Sequence, residues 1–144
     1  GCRNRGPKEI ISPSYGGDIM VSNVIAQDCD SLAGIIVTGM PDEPLQNISL
    51  SNIRISYRGG GTVDLRDRDY REQSTNYPEP RWAGPTPAYG LFVRHVNGLS
   101  VSDVKFTTEK PDYRHCIILD NVKGDDIRHV TGSVEQGAQF LLRR

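Results

Sequence analysis

The sequence predicts an all-β chain wound as a parallel β-solenoid, and three observations predict it. Ile and Val together number 23, against 9 Leu, 5 Ala and 2 Met, a balance that suits pleated, half-buried surfaces rather than helices. Short apolar/polar alternations bounded by Gly, Asn, Asp and Pro recur, and no stretch sustains the three-and-four spacing of an amphipathic helix. One block also repeats at a near-constant interval, the mark of stacked units that cannot bury an apolar face alone.

The repeating block runs Ile19-Met20-Val21-Ser22-Asn23-Val24-Ile25-Ala26, then Ile48-Ser49-Leu50-Ser51-Asn52-Ile53-Arg54-Ile55, then Leu99-Ser100-Val101-Ser102-Asp103-Val104-Lys105-Phe106. A fainter copy is expected from Ile127 to Val134. The offset is 29 residues from Ile19 to Ile48 and 28 from Leu99 to Ile127, while the 51 from Ile48 to Leu99 is one period plus an insertion. A second block alternates with the first: Gly34-Ile35-Ile36-Val37, Gly90-Leu91-Phe92-Val93 and Cys116-Ile117-Ile118-Leu119. Two or three short strands per repeat, with no helix between, fit coils stacked in parallel. The Ser-Asn and Ser-Asp steps mark corners, where Asn or Asp enters the left-handed region at little cost and bonds local backbone; stacked corners predict a ladder of side-chain amides. The rival is a sandwich of antiparallel hairpins, but Asn97-Gly98 is the single hairpin-type dipeptide.

At 144 residues the chain is one domain, 1–144, with an insertion over 58–87. Seventeen basic against 18 acidic residues leave a net charge of −1, so no positive field favours nucleic acid or an anionic bilayer. The longest apolar run, Cys116 to Leu119, is far below the ~20 residues that span a membrane. Cys2, Cys29 and Cys116 have no C-x-x-C spacing and read as thiols, with one disulfide as the alternative. His95, His115 and His129 lack metal-ligand spacing, and Gly59-Gly60-Gly61 lacks the Lys-Ser/Thr of a phosphate loop, so neither a metal nor another cofactor is expected.

The corners, followed by Gly39-Met40-Pro41-Asp42-Glu43-Pro44-Leu45-Gln46-Asn47-Ile48, Tyr57-Arg58-Gly59-Gly60-Gly61-Thr62, Tyr77-Pro78-Glu79-Pro80 and Pro87-Ala88-Tyr89-Gly90, resemble the C-terminal coils of glycoside hydrolase family 28. These are the polygalacturonase-like, right-handed parallel β-helices that hydrolyse pectic polysaccharides, and the resemblance covers about residues 1–130. It implies a secreted glycosidase, extracellular or periplasmic, acting on pectin or oligogalacturonate. The family's Asn-Thr-Asp, Asp-Asp, Gly-His-Gly and Arg-x-Lys elements are not matched in context, so this chain alone is expected to be inactive and to need N-terminal coils of the same protein. A non-catalytic polysaccharide-binding or scaffolding solenoid is the alternative; a lyase on the same fold ranks third for want of calcium-binding carboxylate clusters.

Asp125-Asp126 is the one catalytic candidate, since adjacent carboxylates can push each other's proton affinities apart. It lacks the flanking motifs, and Gly124-Asp125-Asp126 reads more simply as turn chemistry. For substrate binding the insertion supplies Tyr77, Glu79, Arg81 and Trp82, followed by Tyr89. Aromatic rings there offer sugar platforms, and Arg forks suit uronate carboxylates; the plainer alternative is a solvated flap whose Trp82 and Tyr77 pack on the outer wall. Val21, Val24, Ile36, Leu50, Ile53, Ile55, Phe92, Val101, Val104, Ile118 and Leu119 are expected to face the core, with an apolar N-terminal end that leaves the isolated chain marginal or self-associating.

Overall fold

In a computed structural model, described over residues 16–72 and 83–144, the chain is dominated by parallel β-strands. They are β1 (Gly17–Cys29), β2 (Ile35–Thr38), β3 (Leu45–Tyr57), β4 (Ala88–Thr108), β5 (His115–Thr131) and β6 (Leu141–Arg143), with one helical turn, α1 (Val63–Arg66), between β3 and β4. The sheet order is β1-β3-β4-β5-β6, with β2 beside β4, and every pairing is parallel. No adjacent pair is an antiparallel hairpin, and the arrangement is compatible with an all-β parallel solenoid.

The repeat seen in the sequence is the register of the sheet. Ile19 pairs Ile48, which pairs Leu99, and Val21, Leu50 and Val101 follow in the same rows. Ile35, Leu91 and Ile117 align likewise, as the second block requires. The fourth copy is displaced from its expected place. Leu99 pairs Asp125 and Val101 pairs Ile127, so the repeat begins two residues before Ile127, at Asp125. An acidic residue stands there in a row that is otherwise apolar, which hid the true offset of 26 residues. Asp125 and Asp126 therefore lie within β5, and the turn falls one residue earlier, at Gly124 with φ 68°.

Left-handed residues form columns down the stack. Asn23, Asn52, Asp103 and His129 have φ of 50–59° at one corner, and Asp18, Asn47, Gly98 and Gly124 hold the preceding one. Short polar side chains and Gly take this conformation most easily. The amide ladder is present: Asn52 Nδ2 donates to Asn23 Oδ1 at 2.7 Å, and Asn47 Nδ2 to Asp18 Oδ1 at 3.0 Å.

The core between the strands collects Leu50, Ile53, Ile55, Leu91, Val93, Val101, Val104, Phe106, Ile117 and Leu119, with Val24 partly buried against it. Four expectations need correction. Phe92 and Ile118 point to the opposite face of their strands, into a second apolar cluster, and half-buried Ile36 shares their row. Three consecutive apolar residues cannot all face one side of a strand. Val21 is in a core-facing row yet 40% exposed, because β1 lies at the sheet edge among the described residues. Beside it a cavity of about 440 Å³ opens onto Ile19, Val21, Val24, Leu50 and Ile53. At the other end Arg143 bonds Asp125 at 2.7 Å beside Phe140 and Leu141, closing that face with charge.

One ion pair is completely internal. Arg114 gives Nε to Asp112 Oδ1 at 2.9 Å and Nη2 to Oδ2 at 2.7 Å, and the Gly61 amide donates to the same carboxylate at 3.0 Å. A Cβ at Gly61 would collide with both side chains, so only glycine lets this turn approach.

Candidate functional site

The outer face that carries Phe92 and Ile118 is covered by the two roots of the insertion. Tyr70 and Ala83 pack there with Ala88, and the Tyr70 ring meets Phe92 edge-on, centroids 4.9 Å apart. Arg68 Nη2 donates to the Ala83 carbonyl at 2.8 Å and so ties one root to the other. Arg94 crosses beneath: its guanidinium carbon is 5.1 Å from the Phe92 centroid and 5.8 Å from that of Tyr70, while Nη1 donates to the Tyr70 carbonyl at 2.7 Å.

A polar chain borders this apolar patch. Arg94 sits at 2.6 Å from Asp120 on the next strand, and Arg144 approaches the same carboxylate at 3.7 Å. The following residues, His95 and Asn121, both turn left-handed, with φ of 53° and 50°, and hold equivalent places on the paired strands β4 and β5. Asn121 Nδ2 donates to His95 Nδ1 at 2.8 Å. That bond requires an unprotonated Nδ1, so the ring hydrogen is on Nε2 and is donated to Glu72 Oε1 at 2.5 Å. The imidazole is nearly enclosed, while the Glu72 side chain is 44% exposed. One carboxylate oxygen is thereby tied to the imidazole, while the side chain as a whole stays partly open to solvent. Such an arrangement can accept hydrogen bonds from a hydroxyl-bearing ligand without first losing rotamer freedom.

Of the residues singled out in the sequence, Tyr77, Glu79, Arg81 and Trp82 lie outside the described residues. Tyr89 is a core residue and not a sugar platform: it is fully buried, its ring meets Tyr57 edge-on at 6.2 Å, and its hydroxyl donates to the Ser133 carbonyl at 2.6 Å. Burial pushes its phenol far above the usual range. Asp125 and Asp126 are successive strand residues and face opposite sides, each with its own arginine, Arg143 at 2.7 Å and Arg128 at 2.8 Å. They cannot flank one glycosidic bond as a pair.

Glu72, Asn121 and Asp120 were missed as site residues, and His95 was dismissed for lack of metal spacing. The available signal was the repeat itself, since Arg94-His95-Val96 and Asp120-Asn121-Val122 share a register. Among the described residues no group of three His, Cys, Asp or Glu side chains could hold a metal. Cys29 and Cys116 are unpaired thiols, and burial pushes the Cys116 thiol up to about 11, which leaves it protonated and inert. No family description, curated protein or solved structure matches the chain.

Proposed function

We propose that this chain forms the C-terminal coils of a pectin-degrading glycoside hydrolase with a right-handed parallel β-helix, acting extracellularly or in the periplasm. The observation that carries the reading is the in-register row of parallel strands, one face of which bears both the insertion roots and the partly exposed Glu72 carboxylate. A polysaccharide lies along such a face across several coils, and planar polar groups at its edge meet ring hydroxyls. The apolar edge at β1, exposed among the described residues, suits a further coil of the same repeat, and the catalytic carboxylates belong to such coils. Inverting hydrolysis needs two carboxyl groups roughly 6.5–9.5 Å apart around one bond; Asp125 and Asp126, turned to opposite faces, do not supply them. That same geometry favours, as the second reading, a polysaccharide-binding solenoid without catalysis of its own.

Titration of the chain with oligogalacturonate, alongside reducing-sugar release from polygalacturonate, tests both readings. Binding without hydrolysis is expected, with weaker binding in Arg81→Ala and Trp82→Ala. Hydrolysis abolished by joint Asp125→Asn and Asp126→Asn substitution would place the catalytic pair here and overturn the assignment. Absence of binding to any pectic oligomer would remove the polysaccharide reading altogether.

A further inference from the structure

The Glu72–His95–Asn121 chain carries an inference that rests on the polysaccharide reading and sharpens it. The ends of the chain differ in chemistry. Asn121 and Glu72 are both exposed, His95 between them uses both ring nitrogens, and of the two exposed ends only Glu72 carries a charge. Among the described residues its one bond is to His95, and no Lys or Arg lies within ion-pair distance. Arg94, which precedes His95, is committed to Asp120, to the Tyr70 carbonyl and to two aromatic faces, with its side chain only 11% exposed. A carboxylate in that setting accepts hydroxyl protons and repels another carboxylate. It is the wrong end-group for a free uronate and the right one for the hydroxyls of an uncharged sugar.

We propose that Glu72, fixed by His95, is a specificity-determining subsite for an uncharged unit of the polysaccharide, such as a methyl-esterified galacturonate, and disfavours the free acid. The two forms present the same ring hydroxyls and differ at the carboxyl group, methylated and neutral in one and ionised in the other, so a change in their discrimination on substituting Glu72 reports on its charge. Glu72→Gln separates this role from a structural one. Glutamine keeps an oxygen to accept from His95 Nε2, so the hold on the insertion root survives, but the negative charge and the strong acceptor are lost.

The experiment is calorimetric titration of the chain and of Glu72→Gln with fully methyl-esterified and free-acid oligogalacturonides of equal length, with thermal melts to confirm an unchanged fold. The substitution is expected to weaken ester binding by about tenfold, the loss of one charge-assisted hydrogen bond, and to leave free-acid binding equal or tighter. Equal weakening of both oligomers, or no change in ester binding, overturns the subsite while leaving the polysaccharide reading intact. If neither oligomer binds the unsubstituted chain, both fall together.

Discussion

Substituting Asp112 by Ala removes the partner of a guanidinium with no exposure to solvent. Three contacts to Arg114 disappear, from Nε at 2.9 Å, Nη2 at 2.7 Å and the backbone N–H at 3.1 Å, and the Gly61 amide loses its acceptor at 3.0 Å. Arg114 retains only longer contacts from Nη1, to the Thr86 carbonyl at 3.3 Å and the Leu32 carbonyl at 3.5 Å, which carry no formal charge. Orphaning a buried charge in this way costs about 3–5 kcal/mol, a large share of the ~5–15 kcal/mol that holds an ordinary domain together. With a urea dependence of about 2 kcal/mol per molar, the midpoint should fall by roughly 1.5–2.5 M. Adding Arg114→Met to Asp112→Ala should recover part of the loss, because the uncompensated charge is then gone. A midpoint shift below about 0.5 M, or a double variant weaker than the single one, would refute the reasoning. The pair also sets an acid limit. Burial raises the Asp112 carboxyl, but the hydrogen bonds and charge of Arg114, joined by the Gly61 amide, outweigh it and hold the group below its ordinary value. Its contribution is therefore complete above the unfolded carboxylate value of about 3.9 and disappears as pH falls through the folded one.

Two further outcomes are expected. Asn52 has φ 50° and bonds Asn23, so Asn52→Ala should cost about 1–2 kcal/mol in left-handed strain beyond the lost bond, and Asn52→Gly distinctly less; equal melting temperatures for the two would remove the corner argument. Burial, and next the Arg66 guanidinium, hold the His115 imidazole below its usual value. Its contribution is present above about pH 6.5 and is lost as pH falls, so melting between pH 7.5 and 5.5 should decline in the native chain and decline less in His115→Gln.

What the sequence made legible was whatever repeats. Ile19, Ile48 and Leu99, and the left-handed positions at Asn23, Asn52 and Asp103, could be aligned because each strand meets a like neighbour in the same register and so needs the same residue types. The alignment slipped at Asp125, where the stack closes with Arg143 and the apolar requirement ends. Phe92 and Ile118 were legible as buried but not as to which face, because apolar residues on both sides of a strand erase the alternation that reports it. Tyr89 was misread since an aromatic beside a Pro-rich loop resembles a surface platform, and only the third dimension puts Ser133 within reach of its hydroxyl. The Glu72–His95 contact joins an insertion root to a corner 23 residues on, and no periodicity records such a meeting.

The unequal spacing of the paired strands has a consequence for folding. The offset is 29 residues between β1 and β3, 51 between β3 and β4, and 26 between β4 and β5. Chain-closure entropy grows only logarithmically, so the longer crossing adds roughly 0.6 kcal/mol, the cost of one doubling. That is about half of one net hydrogen bond. Contact over a shorter span forms faster, which favours two early nuclei, β1 with β3 and β4 with β5, that zip together last across the long crossing. On this arithmetic, closing the longer crossing costs the sheet little more than closing the shorter ones.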